Sequence, residues 1–201
     1  MSAGGPLEIE TGGHSFQVLD SGTGPGVLLL HGADSSLHAW DDETRALTEA
    51  GMRTVAPGLE VFAGADDVAS AVEASRSILR ILGLPRVHAV GRGWGAEVAA
   101  ALTSRHPGRV DRVVLVGWVG EVEGSAWRER RVMLVRDRDE SGEETAIAGA
   151  RVEVMDEASR LSALLSEFLR PDPRPRPGAA DSRATIGRPA TPALARRLRD
   201  R

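Results

Sequence analysis

The sequence predicts an α/β protein built on an open, mostly parallel β-sheet, with an N-terminal antiparallel hairpin and helices on both faces. Apolar runs typical of strands covered on both faces, such as Gly26–Leu30 and Val110–Val116, alternate with segments of helical periodicity. Two short strand-like segments flank Gly12-Gly13, which is a hairpin signal. With 201 residues, 41% of them apolar, the chain can form one domain with a sizeable core.

The strands are predicted from short runs of apolar and β-branched residues that end at Gly, Pro or charged residues. In chain order they are Leu7–Glu10, Ser15–Leu19, Gly26–Leu30, Arg53–Ala56, Arg86–Val90, Val110–Val116, Arg131–Val135 and Arg151–Met155. In open α/β sheets, ligands approach the carboxyl ends of the strands, so we expect a functional site at that edge.

Four helices are predicted from apolar residues at helical spacing and from residues that start or stop helices. They are Trp40–Ala50, Asp67–Leu82, Gly95–His106 and Ala158–Leu169. Asp66 is the predicted N-cap of the second helix, and Gly51, Gly83 and Pro107 are the predicted stops.

Composition excludes several kinds of chemistry. The absence of Cys removes disulfides, thiolate metal sites and Cys nucleophiles, and the absence of Lys removes Schiff-base chemistry. We predict no metal and no cofactor.

The start has neither a basic region nor an apolar region of a signal peptide, and no apolar run approaches ~18 residues, so we expect a cytoplasmic protein without a membrane partner. The net charge of −4 and the sequence patterns leave the oligomeric state open.

Charge and composition divide the chain into residues 1–169, the folded domain, and residues 170–201, a basic Pro/Arg-rich tail. Nine Arg and three Asp give the tail a net charge of +6, while residues 1–169 carry −10. The tail lacks apolar periodicity, so we predict that it is disordered. Such an arm could bind nucleic acid or an acidic partner, but we favour a solvated extension without either role.

The stretch Gly91-Arg92-Gly93-Trp94-Gly95 lies between a predicted strand and a predicted helix. Its G-x-?-x-G frame is that of a nucleophile elbow, the turn that presents a reactive side chain, yet Gly93 stands at its centre. A phosphate-binding loop is the alternative interpretation. The G-x-G-x-x-G spacing and the distal acid of that motif are both missing.

The chain resembles the α/β-hydrolase superfamily, and most closely the branch of epoxide hydrolases, haloalkane dehalogenases and small esterases. The resemblance covers roughly residues 7–169. It rests on DSGTGPGVLLLHGADSSLHAW, ALTEAGMRTVAPGL and ILGLPRVHAVGRGWGAEVAAALTSRHPGRVDRVVLVG, and more weakly on RVMLVRDRDE and RVEVMDEASRLSALLSEFL. It implies the α/β-hydrolase fold.

The resemblance also implies where a catalytic triad would lie. The nucleophile position is Gly93, the acid position falls on Asp139 or Glu140, and the position of the catalytic His reads Arg160. No His follows His106, so no shift of the alignment supplies the base. Arg is a poor substitute because it stays protonated.

The implied ligand pocket surrounds the elbow, with an oxyanion hole formed by the backbone N–H groups of Ala33 and Trp94. Its residues are His31, Gly32, Ala33, Asp34, Arg92, Gly93 and Trp94. His31 is interpreted as a structural hydrogen-bonding residue, and Glu97 as a helix-face charge near the elbow. The expected ligand is a small apolar carboxylate or carbonyl compound.

Two departures from the family pattern bear on this pocket. The loop after the fourth strand, where the family often has P-D-L-R-G-x-G, reads PGLEVFAG. Only thirteen residues, WVGEVEGSAWRER, separate Gly117 from Arg131, which is too short for the helical cap that relatives insert there. We therefore predict an open, shallow pocket.

Three hypotheses about function follow from these residues. The leading one is a catalytically degenerate α/β-hydrolase-fold protein, a pseudoenzyme that binds a small ligand or a partner. The second is an active hydrolase of small esters, lactones or epoxides, in which Asp34, Asp139 or Glu140 activates water. The third is a truncated or frameshifted hydrolase gene product, which the Arg/Pro/Ala-rich tail would suit.

Overall fold

An eight-stranded sheet and a two-stranded sheet form the β-structure of the computed structural model, which describes residues 5–118, 120–122, 125–127, 130–135, 146–147, 151–155 and 161–170. The strands are β1 (Leu7–Thr11), β2 (His14–Gly22), β3 (Gly26–Leu30), β4 (Arg53–Pro57), β5 (Val87–Arg92), β6 (Val110–Val116), β7 (Glu121–Val122), β8 (Arg131–Val135), β9 (Ala146–Ile147) and β10 (Arg151–Met155).

The order of strands in the large sheet is β1-β2-β4-β3-β5-β6-β8-β10. The pairs β1–β2 and β2–β4 are antiparallel, whereas every pair from β4–β3 onward is parallel. β7 and β9 form a separate parallel pair. The predicted mostly parallel sheet with an N-terminal hairpin is confirmed, and it brings the carboxyl ends of six strands to one edge.

Helices cover both faces of this sheet. They are α1 (Asp41–Glu49), α2 (Glu60–Ala63), α3 (Val68–Ile81), α4 (Trp94–Arg105) and α5 (Leu161–Phe168), with short 3₁₀ turns at Leu37–Trp40, Pro107–Arg109 and Ser125–Trp127. One buried cluster lies between the sheet and α3 and α4, and a second lies between the sheet and α1 and α5. The predicted helices on both faces are therefore confirmed.

The start of α3 corrects one prediction. The N-cap is Asp67, not Asp66: Asp67 Oδ1 accepts a hydrogen bond from the backbone N–H of Ser70 at 2.9 Å. Asp66 adopts a left-handed backbone with φ of 52°, so it belongs to the preceding turn. The two adjacent Asp residues are equally good caps in sequence, and only the backbone geometry separates them.

Several further boundaries differ from prediction: β2 extends over His14–Gly22, β5 spans Val87–Arg92 instead of Arg86–Val90, and α4 begins at Trp94, one residue before the predicted start. Trp40 ends a 3₁₀ turn, and α1 begins at Asp41, so that three acidic residues occupy its first turn. The segment Glu60–Ala63, read as loop from the sequence, is one helical turn. Of the fourth predicted helix, residues 158–160 lie outside the described part of the chain, as does the tail from residue 171 onward.

None of the described helices is long and apolar enough to cross a membrane.

Candidate functional site

Gly93 alone connects β5 to α4. β5 ends at Arg92, α4 begins at Trp94, and Gly93 between them has φ of 53° and ψ of −121°. The N–H of Gly93 donates to the carbonyl oxygen of Val116 at 2.9 Å, which fixes the turn to the end of β6. The chain thus reverses from strand to helix within one residue, in a conformation that side chains other than Gly adopt at a cost.

The glycines on either side of Gly93 are required by close packing. A Cβ atom at Gly91 would lie 2.6 Å from Ala96 Cα, and one at Gly95 would lie 2.5 Å from the carbonyl oxygen of His31. A Cβ atom at Gly93, in contrast, would meet none of the described residues within 4 Å. Residues 91–95 therefore have the geometry of an elbow, and a side chain at position 93 would project away from the described part of the chain.

The loop after β3 lies directly beside this turn. A Cβ atom at Gly32 would be 3.6 Å from the carbonyl oxygen of Arg92, and Gly95 packs against the backbone of Leu30 and His31. The structure therefore places the predicted pocket residues His31 and Gly32 beside the elbow, and Ala33 and Asp34 follow them as exposed residues. The N–H of Trp94 belongs to the first turn of α4, where N–H groups have no acceptor within the helix.

His31 is buried and structural, as its sequence context predicts. Its Nε2 accepts a hydrogen bond from the backbone N–H of Leu59 at 3.0 Å. The ring proton is therefore on Nδ1, which lies 2.8 Å from the carbonyl oxygen of Gly32 and donates to it. Both ring nitrogens of His31 are occupied by the backbone, so this His has no free nitrogen with which to take a proton from a substrate.

Two tryptophans border the elbow on opposite faces of the sheet. The Arg92 guanidinium lies 5.1 Å from the ring centroid of Trp40, within range of a cation–π interaction. The indole Nε1 atoms of Trp40 and Trp94 are both buried and have no hydrogen-bond partner among the described residues. Buried donors are nearly always paired, so a buried water is the expected partner of Trp94 Nε1.

Two acidic side chains near the elbow were not assigned a role from the sequence. Glu60 Oε1 lies 3.8 Å from His31 Nε2, and a Cβ atom at Gly58 would lie 2.9 Å from the other Glu60 oxygen. Glu60 begins α2, in the segment after β4 where the sequence departs from the family pattern, and that departure is its only signal in the sequence. Glu97, in the first turn of α4, remains exposed, but partial desolvation of its carboxyl raises the pKa and the negative charge of Asp66 raises it further.

The other proposed triad positions lie outside the described residues. These are Asp139 and Glu140, which follow β8, and Arg160, which precedes α5. β6 alone separates β8 from β5, so the end of β8 is about 10 Å from the elbow at the usual strand spacing. Among the described residues, no group of three or more His, Cys, Asp or Glu is placed to hold a metal ion.

The short segment between β6 and β8 stands where relatives insert a cap. Its described turn, Ser125–Trp127, is anchored far from the elbow. Trp127 is fully buried, and its Nε1 donates to Ser104 Oγ at 3.0 Å near the carboxyl end of α4. Ser104 is ten residues beyond Trp94, which corresponds to about 15 Å along the helix. The turn Ser125–Trp127 therefore does not cover the elbow.

The raised pKa of Glu97 has a consequence for stability. Its carboxyl binds protons more tightly in the folded than in the unfolded state, so folding stability declines as pH rises from the ordinary Glu range through the folded pKa. Glu97→Gln removes this decline, and the variant is expected to be more stable than the unmodified protein at neutral pH.

The measurement is the free energy of unfolding in denaturant between about pH 4 and about pH 8. Glu49→Gln, at the exposed end of α1, controls for the loss of one negative charge. Parallel pH profiles for the unmodified protein and Glu97→Gln would contradict the expectation.

Comparisons with known proteins agree with this architecture. The model of the alpha/beta hydrolase fold family matches residues 25–196. Epoxide hydrolase 3 of Siraitia grosvenorii is 32% identical over 118 residues, which cover 54% of this chain and 37% of that protein. The 2-hydroxymuconate semialdehyde hydrolase of Pseudomonas sp. (strain CF600) is 30% identical over 122 residues, which cover 56% and 43%.

Solved structures of epoxide hydrolases are also similar. One from Vigna radiata has 27% identity and a TM-score of 0.53, covering 57% of this chain and 38% of that chain. One from an endophytic Streptomyces has 26% identity and a TM-score of 0.51, covering 55% and 36%. The matched part of the chain spans less than half the length of these relatives. The family match, the sheet order and the turn at Gly93 agree, and the chain belongs to the α/β hydrolase fold family.

Proposed function

We propose that this chain is a non-catalytic member of its family that binds a small apolar carboxylate or carbonyl compound at the elbow. The observation that carries the proposal is Gly93. A Cβ atom at Gly93 would meet none of the described residues within 4 Å, and the resemblance puts the nucleophile at this position. Without a side chain at this position, the turn has no group that could attack a substrate.

The histidines support a non-catalytic role. A nucleophile or a water molecule needs a base within hydrogen-bond reach to take its proton. Both ring nitrogens of His31, beside the elbow, are bound by the backbone. The last His in the sequence is His106, which follows α4 at the end opposite the elbow and lies 3.2 Å from Glu73 Oε1. Neither group supplies the base of a triad.

Backbone groups of the elbow support the choice of ligand. The N–H of Trp94 and the positive end of α4, a helix of twelve residues, favour an anion or a carbonyl oxygen. Glu60 and Glu97 add negative charge nearby, so we expect weak binding of carboxylates, with a dissociation constant in the millimolar range.

An NMR titration with butyrate tests the binding proposal. We expect the amide signals of Ala33 and Trp94 and the indole signal of Trp94 to shift with butyrate. The amides of Gly12 and Gly13, in the distant β1–β2 turn, serve as internal controls. Unchanged Ala33 and Trp94 signals at saturating butyrate would refute carboxylate binding at the elbow.

An active hydrolase is the second candidate function, and Glu97 is the observation that favours it. A carboxyl with a raised pKa beside a turn of this type is a candidate general acid or base. The matched relatives are named as hydrolases. Under this alternative, water activated by a carboxylate would attack an ester, a lactone or an epoxide without help from position 93.

Gly93→Ser separates the two functions. The variant is expected to fold with a loss of roughly 1–3 kcal/mol, because a side chain is forced into a left-handed backbone. Under the non-catalytic function it should not hydrolyse esters, since neither His31 nor His106 can take the proton of the hydroxyl. Gly93→Ala is the matched control that carries the strain without the hydroxyl.

The measurement is turnover of activated esters and epoxides by the unmodified protein and both variants. Rates at background for all three support the non-catalytic function. Turnover by the unmodified protein that Glu97→Gln abolishes would establish the hydrolase instead.

A further inference from the structure

A cavity of about 190 Å³ lies between the β1–β2 hairpin and α3, away from the elbow. Its apolar wall is formed by Phe16, Phe62 and Ala74, each of which is at least nine-tenths buried. Gly12 and the exposed His14 border it on the hairpin side. None of these residues belongs to the elbow, so the cavity is a separate feature of the fold.

The sequence of α3 explains why this space is open. Ser70, Glu73, Ala74 and Ser77 recur at the spacing of one helix face, and this face is the one that lines the cavity. A helix face that packs on a sheet normally carries large apolar side chains at such positions. Three of the four residues here are Ser or Ala, so they leave the space under the hairpin unfilled.

Three rings shape the hairpin side of the cavity. The His14 ring meets Phe62 edge to face, with centroids 5.2 Å apart and an angle of 72°. Phe16 lies 5.7 Å from Phe62 and 6.0 Å from His14. Ring edges and faces of this kind favour a flat aromatic ligand. An apolar cavity of about 150 Å³ is enough for benzene, so the space accommodates one ring with a short substituent.

The polar part of the lining can accept hydrogen bonds, through the carboxylate of Glu73 and through hydroxyls that both donate and accept. Glu73 accepts a hydrogen bond from Arg76 Nε at 2.8 Å, and its other oxygen lies 3.2 Å from His106 Nε2. The Arg76 guanidinium, followed by His106, holds the pKa of Glu73 below its usual range, so the carboxylate stays ionised. The half-buried hydroxyls of Ser70 and Ser77 stand on the same helix face.

From this geometry we propose that the cavity is a binding site for a single-ring phenol. The ring would lie against Phe16, Phe62 and His14, and the hydroxyl would donate a hydrogen bond to Glu73 or to the serine hydroxyls. An aromatic carboxylate of the same size is disfavoured because it would meet the charged carboxylate of Glu73 in the lining. The cavity would therefore prefer a neutral phenol to a carboxylate, whereas the elbow is proposed to bind carboxylates.

Titration of the full chain with phenol, followed by NMR, tests the proposal. We expect amide shifts at Gly12, Ser70 and Ser77 with a dissociation constant of about 1 mM, a reasonable value for so small a ligand. Benzoate at the same concentrations should leave these three signals in place. Absence of shifts with phenol, or equal shifts with benzoate, would overturn the proposal.

Ala74→Leu fills the cavity and is expected to weaken phenol binding at least about tenfold, with the circular dichroism spectrum unchanged. Ser77→Leu fills the same space from a half-buried position and replaces the first variant if that one does not fold. Ala69→Leu is the matched control, because it adds the same side chain to an exposed position of α3 outside the lining. Undiminished phenol binding by a folded cavity-filling variant would place the phenol elsewhere and overturn the proposal.

Discussion

Gly95→Ala is expected to destabilise the protein by about 3 kcal/mol or more, which is the upper end of the cost of overpacking. Its Cβ would lie 2.5 Å from the carbonyl oxygen of His31 and closer still to that of Leu30. Both are backbone atoms at the end of a central strand, so they cannot move aside as the end of a flexible side chain can. The first turn of α4 would have to separate from β3.

Gly91→Ala should have a similar effect, because its Cβ would be 2.6 Å from Ala96 Cα within the same turn. Gly93→Ala should cost only the strain of a left-handed backbone, roughly 1–3 kcal/mol. We therefore expect Gly95→Ala and Gly91→Ala to lower the free energy of unfolding more than Gly93→Ala does, although the three glycines lie within five residues. The difference comes from the atoms that each new Cβ would meet.

Denaturant unfolding of the three variants beside the unmodified protein measures this order. Gly108→Ala is the control, because its Cβ would meet none of the described residues within 4 Å and its backbone is not left-handed. A variant that does not accumulate in folded form counts as the largest loss. Equal stability of Gly95→Ala and Gly93→Ala would contradict the elbow geometry.

Several of the parallel strands could be predicted from the sequence to the residue, whereas β5, predicted as Arg86–Val90, spans Val87–Arg92. Gly26–Leu30, Val110–Val116 and Arg131–Val135 have the predicted bounds, because a strand buried on both faces reads as a continuous apolar run that ends at a polar or turn residue. Gly51, with φ of 80°, ends α1 as predicted, since Gly adopts a left-handed backbone without strain.

The site could be predicted only in part. The frame of residues 91–95 is a local pattern, and the elbow has the expected geometry. The tautomer of His31 is fixed by the backbone N–H of Leu59, which lies 28 residues later in the chain. Neither segment has a sequence pattern that predicts this hydrogen bond. The raised pKa of Glu97 and the cavity beside His14 likewise arise from contacts between segments that are distant in the sequence. Local sequence patterns do not predict such contacts.

Arg112→Met is expected to cause the second large loss of stability. Arg112 is 4% exposed within β6, and its Nη1 donates to the carbonyl oxygens of Phe168 and Arg170, the latter at 2.7 Å. These carbonyls end α5, where the last C=O groups have no partner within the helix. A hydrogen bond from a charged group contributes about 1.5–3 kcal/mol, so the loss of both costs about 3–6 kcal/mol.

The consequence extends beyond the two hydrogen bonds because Arg112 fixes α5 to the sheet. α5 covers one face of the sheet beside α1, and it contributes Leu161, Leu165 and Phe168 to the buried cluster there. The methionine side chain of the variant could fill part of the space but would offer no donor to the two carbonyl groups. The end of α5 would then fray, and its apolar residues would become exposed.

Unfolding in denaturant measures the loss, and Arg109→Met is the matched control. Arg109 makes one hydrogen bond, 3.2 Å long, to the carbonyl oxygen of Pro85 in an exposed setting, so its replacement should cost at most about 1 kcal/mol. Hydrogen exchange of the α5 amides distinguishes the mechanism. If Arg112 holds the helix end, the amides of α5 exchange faster in Arg112→Met while those of α3 keep their relative protection; equal losses in the two arginine variants would contradict this role.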